Sequence, residues 1–180
     1  TADIKFKGSK SIVFYAGEGF GKTTVGAYSP NPVFMMARGE DGVFKLIENG
    51  LVPPTKCYPV CETWPEVFDC VSDLTENDSG HETLVIDALD GFEKLCHEFV
   101  CNRDYAGNWA DERTGFLSFQ KGYERGAAEW SELLQRLERL QVVRHMRIIF
   151  LAHAKVFTFK NPLGADYDKF AAECNAKTWA

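Results

Sequence analysis

Tyr15-Ala16-Gly17-Glu18-Gly19-Phe20-Gly21-Lys22-Thr23-Thr24 is the stretch that decides the fold. An apolar run, Ser11-Ile12-Val13-Phe14-Tyr15, precedes it and reads as a buried strand. Thr24-Val25-Gly26-Ala27-Tyr28 follows and reads as the start of a helix. The spacing fits G-x-x-x-x-G-K-[ST], with Ala16 where the first glycine stands, a position that mainly needs a small residue. Gly17, Gly19 and Gly21 can take positive φ and let backbone N–H groups converge on phosphate oxygens. The helix N-terminus behind them adds a partial positive charge. Lys22 would reach the β- and γ-phosphates of a nucleotide, and Thr23 would supply a hydroxyl to Mg²⁺. Ala16, Gly17, Glu18, Gly19, Phe20, Gly21, Lys22, Thr23 and Thr24 together form the candidate phosphate cradle. The plain alternative, a glycine-rich turn without a ligand, does not require the strand–loop–helix context found here.

Thr83-Leu84-Val85-Ile86-Asp87 is a second apolar strand, and it ends in an acid. Beside a phosphate loop, Asp87 is expected to hold Mg²⁺, through water; the alternative is an acid that caps the following helix. Asp90 reads as the N-cap itself or as a group supporting Asp87. Between the two anchors, Val33-Phe34-Met35-Met36 is a short strand followed by the turn Arg38-Gly39-Glu40-Asp41-Gly42 and a helix from Val43 to Asn49. Lys56 to Val60 reads as an edge strand, because Pro59 cannot donate to a ladder. Thr63 and Glu66 have the spacing of a capping box before a helix running to Leu74.

After a helix over 91–101, residues 102–121 break all periodicity, which predicts a long loop. Tyr123 to Arg144 restores a strong helical pattern. Arg147 to Ala152 is a further buried strand ending at His153. Aromatic and basic residues interleave from Lys155 to Lys160, a turn follows at Pro162 and Gly164, and Tyr167 to Lys177 has a helical spacing. The alternation of strands and helices predicts a three-layer α/β fold with a mostly parallel central sheet, formed by residues 1–180 as one domain. In such a sheet ligands sit at the C-terminal ends of the strands. Ala16, Glu40, Asp87 and His153 all fall at or just beyond such ends.

Composition narrows the class. A chain of 180 residues with 45% hydrophobic content can bury a substantial core. It shows no membrane-length apolar run and no signal-peptide pattern, so a cytoplasmic location is expected. The six cysteines form no C-x-x-C pair and read as buried thiols. Cys57 with Cys61, and Cys96 and His97 with Cys101, are the competing metal-ligand candidates. Net charge is −6, which argues against a general polyanion binder. The first 120 residues carry 10 basic and 19 acidic side chains, the last 60 carry 10 and 7, so a basic strip is permitted in the final third.

The phosphate loop, the Val85-Ile86-Asp87 strand and the Leu151-Ala152-His153 strand together resemble the RecA-like ATPase core. The resemblance is nearest to phage-encoded nucleotide-binding proteins, including single-strand annealing proteins of phage recombination. The Glu40-Asp41-Gly42 turn, Gln120-Lys121-Gly122-Tyr123 and Pro162-Leu163-Gly164 carry it further. It implies ATP with Mg²⁺ as cofactors and ATP hydrolysis as the reaction. Glu40 would polarise the attacking water; its alternative is a turn carboxylate. His153 would sense the γ-phosphate; its alternative is a strand-end histidine satisfied by backbone. Residues 103–121 and 155–166 would face single-stranded DNA, the alternative being solvated loops whose aromatics pack on the body. Self-assembly into a ring or filament, a single-strand-binding protein as a further partner, and the host cytoplasm as the location are likewise implied. Arg144, Arg147, Lys155 and Lys160 are candidates for reaching a neighbour's nucleotide. A RecA-like sheet continues beyond the sensor strand, so the chain reads as a minimal or an incomplete version. Lys155 stands where the resemblance expects glutamine, which separates this chain from the family's signalling pattern. Two other functions fit the phosphate loop: a phosphotransferase, for which the 102–121 loop is poor in arginine, and a nucleotide-dependent binding module without hydrolysis. The guanine-reading N-K-x-D motif does not occur, which favours ATP.

Overall fold

A computed structural model describes residues 11–110 and 113–175. In chain order the elements are β1 (Ser11–Ala16), α1 (Lys22–Ala27), β2 (Pro32–Met36), α2 (Gly42–Glu48), β3 (Lys56–Cys57), α3 (Trp64–Glu76), β4 (Thr83–Asp87), α4 (Leu89–Tyr105), a 3₁₀ turn (Ser118–Gln120), α5 (Lys121–Arg144), β5 (Arg147–Phe159) and β6 (Tyr167–Ala172). The strands lie in the order β1-β5-β4-β2-β3 and pair in parallel throughout; β6 adds to β5 in the antiparallel sense. The expected α/β fold with a mostly parallel sheet is present.

The alternation of side chains along the strands divides the core into two layers, as a pleated strand requires. Phe34, Met36, Val85, Ile149 and Leu151 face one way, with Ala27 of α1 and Val43 of α2. Val33, Met35, Leu84, Ile86, Ile148 and Phe150 face the other way, against α3, α4 and α5, where Trp64 and Trp130 meet with ring centroids 5.0 Å apart. The central strands are apolar on both faces because helices cover both. α3 starts where the sequence says it should, with the Thr63–Glu66 capping box in place. Among the described residues no helix is long and apolar enough to cross a membrane.

Four expectations are corrected. First, β1 is a strand but not a buried one: Ile12, Val13, Phe14 and Tyr15 are 41%, 52%, 38% and 49% exposed, because β1 ends the strand order. Second, the stretch expected to be irregular over 102–121 is helical at both ends, and Phe116 within it packs on the body. α4 continues to Tyr105 and ends at Ala106 in the left-handed region, and α5 begins at Lys121 rather than Tyr123. Phe116 is fully buried among Val100, Cys101, Tyr105 and Tyr123, so its ring belongs to the body. Third, β5 does not stop at His153 but runs on to Phe159. Fourth, the segment expected as a helix from Tyr167 is the strand β6 (Lys177 lies outside the described residues). Tyr167, Phe170, Ala171 and Cys174 have helical spacing, but six paired positions along β5 satisfy the backbone as a hairpin instead.

The six cysteines are free thiols, and Cys61, Cys96 and Cys101 are buried. The suggested metal pairings are not formed. Cys61 Sγ lies 4.0 Å from Cys70 Sγ, Cys96 donates to the Gly126 carbonyl, and Cys101 belongs to the apolar cluster around Phe116.

Candidate nucleotide-binding site

Register brings distant parts of the chain to one edge of the sheet. Ala16 pairs with His153, Asp87 with Leu151, and Met36 with Asp87. The phosphate loop, the acid of β4, the turn after β2 and His153 therefore converge at the C-terminal ends of the strands. A cleft of about 670 Å³ opens there. Glu18, Gly19 and Gly21 to Thr24 form one wall, Asp87 and His153 the floor, and Glu40 with Lys45 and Leu46 of α2 and its C-cap Asn49 the opposite wall.

The loop is shaped by backbone that only glycine adopts freely. Gly19 has φ 76° and Gly21 φ 80°, both left-handed, and Gly21 stands at the N-cap of α1. Lys22 Nζ donates to the carbonyls of Ala16 and Gly17, each at 2.9 Å, so the ammonium is held over the loop it would serve. A phosphate would offer it a full negative charge in exchange for two carbonyl dipoles. Phe20, by contrast, projects outward at 80% exposure.

Thr23 Oγ1 donates to Asp87 Oδ2 at 3.0 Å. Asp87 is 4% exposed, and burial pushes its carboxyl above the ordinary range, against the opposing pull of the Thr23 hydroxyl, His153 and Lys22. A buried carboxylate beside a hydroxyl is a hard-oxygen pair short of positive charge. Mg²⁺ would fit that donor set, held by Thr23 and Asp87, and would neutralise charge on a bound phosphate. Gly42 lies beside the same point, where a Cβ would sit in ordinary contact 3.4 Å from Thr23 Oγ1.

Glu40 is half-buried at the end of the turn, its N–H donating to the Ala37 carbonyl at 3.0 Å. Burial raises its carboxyl, Asp87 and Asp90 add to that, and His153 and Lys22 oppose it. His153 meets Asp90 rather than backbone alone: Nδ1 lies 3.0 Å from each carboxylate oxygen, and the His153 N–H donates to Asp90 Oδ1 at 3.1 Å. Asp90 is not the N-cap of α4, a place taken by Ala88. The His153 carbonyl in turn accepts from the Glu173 N–H at 2.7 Å, which ties the site to the end of the β5–β6 hairpin.

All the residues predicted for the phosphate cradle, the ion and catalysis but Phe20 thus sit in or beside one cleft. The α2 wall carried no motif and was not foreseen as part of the site; only the position of α2 directly after the Glu40 turn hinted at it. Of the cations proposed to reach a neighbour, Arg144 is committed within the chain, donating to the carbonyls of Thr75 and Glu76, and Lys160 pairs with Asp166 at 2.7 Å. Lys155 donates to the Cys174 carbonyl.

A family model described as an AAA domain matches residues 9–180. No curated protein matches the chain. The matched span takes in the phosphate loop, the Asp87 strand and His153. The chain therefore belongs to the AAA-domain family and is a nucleotide-binding P-loop NTPase.

Proposed function

We propose that this protein is a RecA-type ATPase that uses ATP and Mg²⁺ to control its hold on single-stranded DNA, in annealing or strand pairing. The observation that carries the reading is how the β5–β6 hairpin sorts its side chains. Lys155, Phe157 and Phe159 alternate along β5, and their partners on β6 are Ala171, Lys169 and Tyr167. Directly paired residues share a face, so one face holds two lysines, two phenylalanines and a tyrosine without an acid. The other face holds Val156, Thr158, Asp168 and Phe170. Phe157, Phe159 and Tyr167 are 41%, 41% and 50% exposed, and the rings of Phe159 and Tyr167 lie 5.2 Å apart. Exposed rings beside ammonium groups suit stacked bases and a tracked phosphate backbone. The same strand carries His153 into the nucleotide cleft. A second contact is proposed around Phe119 and Lys121: Phe119 is 79% exposed and, like Gln120, has positive φ.

In this reading Lys22 and Thr23 bind the phosphates and the ion, Asp87 holds the ion's water, and Glu40 polarises the attacking water. The experiment is steady-state ATPase activity with and without single-stranded DNA, using Lys22→Ala, Glu40→Gln and the double variant Phe157→Ala/Phe159→Ala. DNA should stimulate the wild-type protein. Lys22→Ala and Glu40→Gln should abolish turnover, and the hairpin variant should keep basal turnover but lose the stimulation. Turnover indifferent to DNA, together with phosphate transfer to a nucleotide or nucleoside acceptor, would replace this reading with that of a phosphotransferase.

A further inference from the structure

Asp90 is the buried carboxylate whose role the phosphate loop and Asp87 leave open. Its side chain is 9% exposed, and both of its oxygens are spent on His153. An ionised carboxylate only accepts hydrogen bonds, so the proton between the two residues sits on Nδ1. In the neutral ring Nε2 is then an acceptor. We propose that Asp90 is a positioning residue: it fixes His153 in the Nδ1–H form so that Nε2 accepts a hydrogen bond from the water that attacks the γ-phosphate, alongside Glu40. This rests on the ATPase reading above and adds a second group that orients the nucleophile.

Two observations carry it. A ligand-competent atom of Glu40 and one of His153 lie within 4.8 Å of each other. Two acceptors that share one donating water at about 2.8 Å stand roughly 4.5 Å apart, so the two side chains are close enough for a single water to reach both. A water held that way donates both of its protons, and its lone pairs face outward. Also, Glu40 and His153 line both the nucleotide cleft and a second, polar cavity of about 400 Å³ that reaches Arg38, Lys94 and Glu173. The nucleotide can fill the first space while water enters from the second. In the step itself, a lone pair of the water oxygen forms the new P–O bond. The bond from the γ-phosphorus to the bridging oxygen breaks with its electrons leaving on ADP, and one water proton passes to the Glu40 carboxylate.

The test is Asp90→Asn in the full chain. The His153 backbone N–H needs an acceptor, so the amide keeps its carbonyl oxygen there and turns its NH₂ to Nδ1. The ring proton is then forced to Nε2, where it blocks acceptance from water. Imidazole ¹⁵N NMR on the nucleotide-free protein reads the tautomer directly, with His153 assigned among the four histidines by His153→Gln. The wild type should show Nδ1–H and Asp90→Asn Nε2–H. Turnover of the variant should fall by about 100-fold while ATP affinity stays within about threefold. A wild-type ring protonated at Nε2, alone or with Nδ1, overturns the proposal. So does a variant whose tautomer flips while turnover is kept. If the wild type binds ATP without turnover, the ATPase reading falls and the water-orienting role with it. That result is distinct from a variant that behaves like an active wild type.

Discussion

Asp87 is a buried carboxylate held at a cost to the fold. Burial raises its carboxyl above the ordinary range, and the Thr23 hydroxyl only partly offsets this. Between the ordinary carboxylate range and that raised value, the folded chain binds more protons than the unfolded one. Stability therefore falls as pH rises through that window, and the penalty is complete above it. Asp87→Asn removes the ionisation and keeps an oxygen for Thr23. The variant should melt higher than the wild type near neutral pH without Mg²⁺, by about 2–4 °C for each kcal/mol relieved in a chain of this size. Below the ordinary carboxylate range the two should converge. Added Mg²⁺ with ATP should raise the melting temperature of the wild type by more than that of the variant, which keeps Lys22 and the loop but loses the charge on the ion's side. Equal melting temperatures near neutral pH would show that Asp87 carries no penalty and that the donor set is not short of charge.

At the scale of elements, the packing of Phe116 against α4 and α5 can be tested through Gly122. A Cβ at this position would lie 2.4 Å from the Phe116 ring and 2.6 Å from the Phe116 carbonyl. Gly122→Ala gains up to about 1 kcal/mol of helix propensity, less near a helix end. Overpacking of this kind costs about 1–3 kcal/mol, so the net effect should be destabilising, and urea denaturation of the variant should shift to lower midpoint. A gain in stability would mean that Phe116 is not seated on α5. This segment and the hairpin are where the sequence was least legible. Short-range pattern does not show that Phe116 returns to α4, because the contact joins residues that no single period links. The hairpin did leave a signal: Lys155-Val156-Phe157-Thr158-Phe159 alternates, and Asn161 to Gly164 forms a turn in which the Gly164 N–H meets the Asn161 carbonyl. Tyr167 to Cys174 fits a helical spacing equally well, and only pairing with β5 decides between the two. The central strands, α3 with its capping box and the phosphate loop were all readable, because each is specified by residues close in sequence.

At the scale of the whole molecule, the site exists only when the sheet does. Lys22, Glu40, Asp87 and His153 come from four separate strand ends and meet through the register of β1, β2, β4 and β5. Their individual positions were legible, since each follows an apolar run. That they share one sheet edge was legible too; which strands stand side by side was not, since nothing in the sequence marks β5 as lying between β1 and β4. A site assembled across the sheet binds its ligand in the folded state alone, so the ligand must stabilise the whole fold. At an ATP concentration of about 100 times Kd the gain is about 2.7 kcal/mol, which corresponds to a rise of about 5–10 °C in melting temperature. Thermal denaturation with Mg²⁺ and ATP should show that rise in the wild type. Chelating the ion should reduce it, because Thr23 and Asp87 then contribute nothing to binding. Lys22→Ala should lose most of it while melting close to the wild type without nucleotide, since among the described residues the Lys22 ammonium bonds only to the carbonyls of Ala16 and Gly17. An unchanged melting temperature at saturating ATP would mean that the loop does not cradle phosphate in this chain. A rise preserved in Lys22→Ala would place the nucleotide elsewhere in the molecule.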